Sequence, residues 1–143
     1  MKRLLVLLAA SAAGVALVAT IASAASSNAP KTARIVIRHQ LRGCHSWSVN
    51  GGPFKPTQSL RLARGGSITF LDNDVMPHQL IKSAGAAVKF VGSPKLSKIG
   101  ASAKVVFAKA GTYRFTTKVG EDYMKGVKTV GEDNVLRLTV KVT

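Results

Sequence analysis

Hydrophobic positions in this chain recur every second residue, not every third or fourth. In ARIVIRHQL, Ile35, Ile37, His39 and Leu41 share one face while Arg34, Arg38 and Arg42 take the other. SLRLA sets Leu60 and Leu62 on a common side, and SITFL adds Ile68 and Phe70 after the Gly65-Gly66 turn. HQLIK, AKVVFA and TYRFTTK read as further short strands. VLRLTVKV points Leu136, Leu138 and Val140 inward and Arg137, Thr139 and Lys141 outward. A period of two belongs to the half-buried β-strand, because successive side chains leave opposite faces of the pleat. Turn residues punctuate the runs, as in Gly51-Gly52-Pro53, Asp72-Asn73-Asp74, Gly92-Ser93-Pro94 and Ala110-Gly111. About seven short strands with regular turns predict an all-β antiparallel sandwich or barrel. No helix is predicted beyond the start of the chain, and Lys95 to Ala101 is a candidate turn. Gly120 to Asn134 breaks the strand-turn rhythm. It holds four of the six acidic residues and repeats Gly-Glu-Asp at 120–122 and 131–133. Long loops on a small scaffold are more often functional than not.

The first residues follow a different pattern. Lys2 and Arg3 precede an apolar run from Leu4, which ends at Ala22-Ser23-Ala24. A basic start, an apolar middle and a small-residue end describe a secretory signal peptide, expected over 1–24. Residues 25–32 then read as a small, polar linker and 33–143 as one domain. The alternative is an uncleaved anchor, since Leu4 to Ile21 nearly spans a bilayer. No later stretch could cross a membrane, so the expected location is secreted or periplasmic.

Charge narrows the partners. The chain carries 21 Lys and Arg against 6 Asp and Glu. Removing Lys2 and Arg3 leaves 19 basic side chains, a balance of +13. Such an excess suits anionic envelope surfaces, or simply keeps the protein soluble. Nucleic acid is not expected of an exported domain with no basic helix and no stacked aromatic pair.

One cysteine in an exported chain cannot close an internal disulfide. Cys44 is therefore a packed thiol, an intermolecular partner or a metal ligand, and it adjoins His45 in Gly43-Cys44-His45. The other histidines are His39 and His78, the latter in DNDVMPHQL behind Asp74.

From Ser59 onward the order of motifs resembles the cupredoxins, the plastocyanin- and azurin-like copper proteins. SITFLDND leads to MPHQL, where that family has a strand, an Asn-rich turn and its first copper histidine. FAKAGTYRF resembles its Phe, Ala-Gly, Tyr-x-Phe run, and Met124-Lys125-Gly126 its Met-x-Gly. The resemblance implies a Greek-key β-sandwich, His78 as a copper ligand and Met124 as the axial thioether. It also marks a departure. Thr117 stands where the family's thiolate would be, and Gly120 where its second histidine would be.

The missing ligand types recur in Cys44 and His45, on the connection after the first strand. Two histidines, a cysteine and a weak thioether form the blue-copper preference. Cys44, His45, His78 and Met124 are thus the expected set for one copper ion. In extended backbone Cys44 and His45 would point apart, so Gly43 must turn the chain, or His39 replaces His45. Asp74 and Glu121 are candidates to orient an imidazole, and Glu121 is an alternative direct ligand. Plainer readings stand beside these. His78 is then a loop histidine, Met76 competes as thioether, and Trp47 is a core or rim residue.

Three classes follow. The first is an exported copper protein for electron transfer or copper handling, served by a redox or copper-donor partner protein. The second is a metal-free binding module of the same fold, docking an anionic envelope surface. An enzyme is not expected, because no nucleophile triad, paired-carboxylate cleft or phosphate loop is present.

Overall fold

Alternation along the strands decides the layers. The computed structural model describes residues 29–40, 44–119 and 135–143. Five strands form one sheet, in the order β2 (His45–Val49), β1 (Thr32–His39), β4 (Ser67–Asn73), β8 (Ser102–Val106) and β6 (Lys89–Val91). The second sheet runs β3 (Thr57–Leu62), β10 (Arg137–Val142), β9 (Gly111–Val119), β5 (His78–Ala84) and β7 (Lys95–Leu96). Among the described residues there is no helix, hence none long and apolar enough to cross a membrane.

The inward residues expected from the pattern fill the space between the sheets. Ile35, Ile37, Ile68 and Phe70 meet Tyr113, Phe115, Leu138 and Val140, all essentially buried. Aromatic edges meet faces inside, with Phe107 and Tyr113 at 4.9 Å between centroids and 75° between planes. Such a pair adds about 0.5–1.5 kcal/mol beyond its burial. The all-β sandwich is as expected, but its sheets are mixed. β1 runs parallel to β4, and β10 parallel to β3, while every other pair is antiparallel. The chain leaves β2, crosses to the second sheet for β3, and returns to lay β4 beside β1. A crossover of that length is what parallel pairing needs.

Two expectations change. His45 lies on a strand, β2, rather than in an open connection. HSWSV is buried on both faces, so it lacks the alternation that betrays a half-exposed strand. Trp47 fills the inner side, and residues 53–58 cover the edge. Trp47 and Lys55 exchange backbone hydrogen bonds at 3.2 and 3.1 Å, and Gln58 Nε2 donates to the Trp47 carbonyl at 2.9 Å. The candidate turn at Lys95 to Ala101 begins instead as β7, pairing with the start of β5.

The fold begins before position 33. Pro30 and Lys31 offer their carbonyls to the Ala63 and Ser67 N–H groups at 2.9 Å, and Thr32 opens β1. Gly66 follows, pressed so close to Ala63 and Lys31 that a Cβ there would sit 2.7 Å from both carbonyl oxygens. The expected signal peptide and the first half of the linker fall outside the described residues.

Candidate metal centre

The β1–β2 hairpin brings two histidines level. His39 and His45 are directly paired across it, and the turn closes with the Gln40 N–H donating to the Cys44 carbonyl at 2.6 Å. Cys44 itself carries the left-handed backbone that lets the chain reverse, with φ at 51°. The Asp72–Asn73–Asp74 segment, where the neighbouring strand β4 ends, curls around its own carboxylates. Asp72 Oδ1 accepts the Asp74 N–H at 3.0 Å and Asp74 Oδ1 accepts the Met76 N–H at 2.9 Å. These local bonds are what short acidic side chains do in turns. They aim Asp74 at the hairpin and deliver His78 to the first position of β5.

Every histidine of the chain then meets one carboxylate. His45 Nδ1 lies 2.9 Å and His78 Nε2 3.2 Å from Asp74 Oδ2, and His39 Nδ1 lies 3.5 Å from Asp74 Oδ1. The side chains of His45, His78 and Asp74 are fully buried, whereas that of His39 is 43% exposed and forms the mouth. The His45 and His78 rings stand edge to face, 4.9 Å apart at 89°. Donor atoms of His39, His45 and Asp74 all lie within 4.8 Å of one another.

Electrostatics separates the two aspartates. Burial alone would raise the Asp74 pKa, but the His45 and His78 hydrogen bonds and the Met76 N–H outweigh it and hold the group well below the carboxylate range. An ionised carboxylate only accepts, so His45 donates from Nδ1 and His78 from Nε2. His78 Nδ1 is left facing Thr117 Oγ1, at 3.4 Å. Asp72 behaves oppositely. Burial pushes its pKa up to about 6 despite the Asp74 N–H and nearby histidines. Its Oδ2 has no hydrogen-bond partner among the described residues.

The structure therefore brings together His45, His78, His39 and Asp74. Two of these were expected as ligands and two as alternatives or orienting groups. Cys44 is not in the converging donor group. Met124 and Glu121 lie outside the described residues. Thr117, standing where the resemblance places the thiolate, touches His78 Nδ1, whereas the clustered donors face His78 Nε2. The residue that sequence reasoning undervalued is Asp74. Its signal was the Asp-x-Asp spacing at 72 and 74, which reads as a turn before it reads as a site.

The donors suit copper(II) and related ions. His39, His45 and Asp74 offer two imidazole nitrogens and a carboxylate oxygen within mutual reach, and His78 Nε2, 3.2 Å from that carboxylate, would add a third nitrogen to an all-N,O set of the kind tetragonal copper(II) prefers. Burial supplies the water-poor surroundings, and the charge of Asp74 offsets part of that of a cation.

No family model matches this chain, and no curated protein does. Solved structures do. A purple cupredoxin from Nitrosopumilus maritimus aligns at 19% identity over 77% of this chain and 98% of its own, with a TM-score of 0.45. A mutant of amicyanin aligns at 19% identity over 77% and 82%, with a TM-score of 0.41. The all-β sandwich itself is shown by the two five-stranded sheets. A cysteine protease inhibitor from Entamoeba histolytica aligns at 10% identity over 80% and 99%, with the same TM-score of 0.41. A likeness this weak assigns neither a family nor a metal, and the metal has to be argued from the side chains.

Proposed function

We propose that this protein is an exported copper-binding protein whose role is copper handling, with one ion held at His39, His45, His78 and Asp74. The observation that carries the reading is the convergence of all three histidines on one buried carboxylate. Holding Asp74 at zero exposure costs desolvation energy, offset here by paired imidazoles. Those imidazoles are also the ligands that copper, zinc and nickel share. Under this proposal an ion bound by His45 Nδ1 and His78 Nε2 replaces the protons those atoms now donate to Asp74. Each neutral ring then carries its proton on the other nitrogen, and competition between protons and the ion makes affinity rise with pH. His39, at the mouth, is the donor that can move to admit or release the ion. The segment after Val119, which carries Glu121 and Met124, follows directly from the strand position paired with His78. Either residue remains a candidate fifth ligand. Export is supported by the basic, apolar and small-residue order of residues 1–24.

Copper handling is preferred to electron transfer because the converging donors contain no thiolate. The test is a copper(II) titration of the full protein, followed by optical and electron paramagnetic resonance spectra. One equivalent taken up, without an intense thiolate-to-copper band, is the expected result. A strong thiolate band abolished by Cys44→Ser would overturn the N,O assignment and return the protein to electron transfer. No stoichiometric uptake would overturn the metal reading altogether.

A further inference from the structure

The second sheet has an outer face unlike the rest of the molecule. Its outward positions on β3, β10 and β9 carry Arg61, Arg137, Lys141, Arg114 and Lys118. Hydroxyl side chains fill the places between them. Thr139 sits between Ser59 and Arg114, Lys141 between Arg61 and Thr112, and Arg137 beside Thr57. Neighbouring strands lie roughly 4.8 Å apart and alternate residues roughly 6.8 Å apart, so the cations form a lattice rather than a point. The only acidic side chains among the described residues are Asp72 and Asp74, and both are buried in the histidine cluster. Nothing described on this face opposes its charge.

Two grooves open here, and both use Thr139. One, of about 480 Å³, is lined by Arg114, Thr116, Arg137 and Thr57 among others. The other, of about 420 Å³, is lined by Ser59, Arg61 and Lys141. Neither includes a residue of the histidine cluster. The face is thus a cationic track running across three strands.

We propose that this face binds a linear polyanion, a polymer with a phosphate group on each repeat and no bases. Charge complementarity sets the sign of the partner, and the spread of cations across three strands favours an extended chain over a single anion. Arginine forks at 61, 114 and 137 match phosphate oxygens in pairs, and the flanking hydroxyls donate to the rest. A nucleic acid needs aromatic platforms or groove readers, but the aromatics of this sheet, Tyr113 and Phe115, are buried. A bilayer binder inserts apolar side chains beside its cations. Here the large exposed apolar residues Val75, Val91 and Ile99 lie off this face, and only Val135 borders it. The proposal does not rest on copper binding and holds for loaded and metal-free protein alike.

The test measures binding of the full protein to inorganic polyphosphate as salt is raised, with and without copper. It compares Arg114→Gln/Arg137→Gln/Lys141→Gln with a control of equal charge loss on the other sheet, Arg34→Gln/Lys89→Gln/Lys104→Gln. The first variant is expected to lose about tenfold or more in affinity, with a salt slope shallower by about two, while the control stays within about twofold. Equal losses in both variants would overturn the site, as would preference for phosphatidylglycerol vesicles or single-stranded DNA over polyphosphate. Should the triple variant unfold, Arg137→Gln and Lys141→Gln singly decide the matter through graded losses of about twofold to threefold each, and no loss in either would overturn the site.

Discussion

The histidine cluster and the outer face of the second sheet handle charge by opposite rules. In the cluster, an ionised carboxylate sits at zero exposure, and its oxygens are matched by two imidazoles, a third imidazole at the rim and a backbone N–H. On the sheet face, cations stand in solvent at the spacing of the pleat. A buried charge needs each partner in place, so losing one is expensive and the effect is specific. Exposed charges act as a sum, so losing one costs little and salt erases the rest. The same chain therefore carries one site defined by geometry and one defined by density.

The largest effect expected is at the hub. Asp74→Ala strands the buried His45 and His78 and should cost about 3–5 kcal/mol in urea unfolding. It should also reduce copper affinity by at least about 100-fold. Survival of copper binding in a folded Asp74→Ala protein would move the ion away from this carboxylate. His78→Gln comes next, removing a ligand while filling much of the same volume. A drop in copper affinity of about 100-fold is expected by titration, with the polyphosphate affinity of the sheet face unchanged.

Asp72 supplies a pH test of the metal-free protein. Its folded pKa of about 6 lies above its ordinary value of 3.8, so the folded state holds the proton more tightly. Stability from this group is full below about pH 4, falls as pH rises toward 6, and is lost above it. The change is about 2–3 kcal/mol. Asp72→Asn keeps the acceptor for the Asp74 N–H and should flatten that slope, raising stability at neutral pH. Asp74 runs the other way, contributing above about pH 4 and losing its contribution as acid protonates it. The smallest effect is expected from Thr117→Val, which removes a long contact to His78 Nδ1 at 3.4 Å. A loss under about 1 kcal/mol, with copper affinity intact, would agree with an ion on the Nε2 side of His78.

The sandwich was legible because its strands are half-buried. Ile35 and Ile37, or Leu138 and Val140, announce a face by skipping every other residue. β2 was not legible, because His45, Ser46, Trp47 and Ser48 are all buried and no period survives. Reading β2 as a connection hid the hairpin, and with it the pairing that sets His39 opposite His45. The stretch from Gln40 to Cys44, five residues with a glycine between two strand-like runs, was the available hairpin signal. His78 was found through the family motif. Asp74 was noticed only as an accessory, since a sequence shows that a carboxylate precedes a histidine but not that three imidazoles from three strands will converge on it. The mixed sheets were invisible for a related reason, as parallel pairing depends on where the chain crosses and leaves no local mark.

The backbone at Cys44 has a consequence for how the thiol should be removed. At φ 51° a side chain is strained by about 1–2 kcal/mol, and glycine is not. Cys44→Gly is therefore expected to tighten the hairpin by roughly 1 kcal/mol while deleting the only sulfhydryl. Serine keeps the strain, so any softening of the turn would be confounded with loss of the sulfur. The position gives an experimenter something uncommon beside the histidine cluster, a thiol deletion expected to make the scaffold firmer.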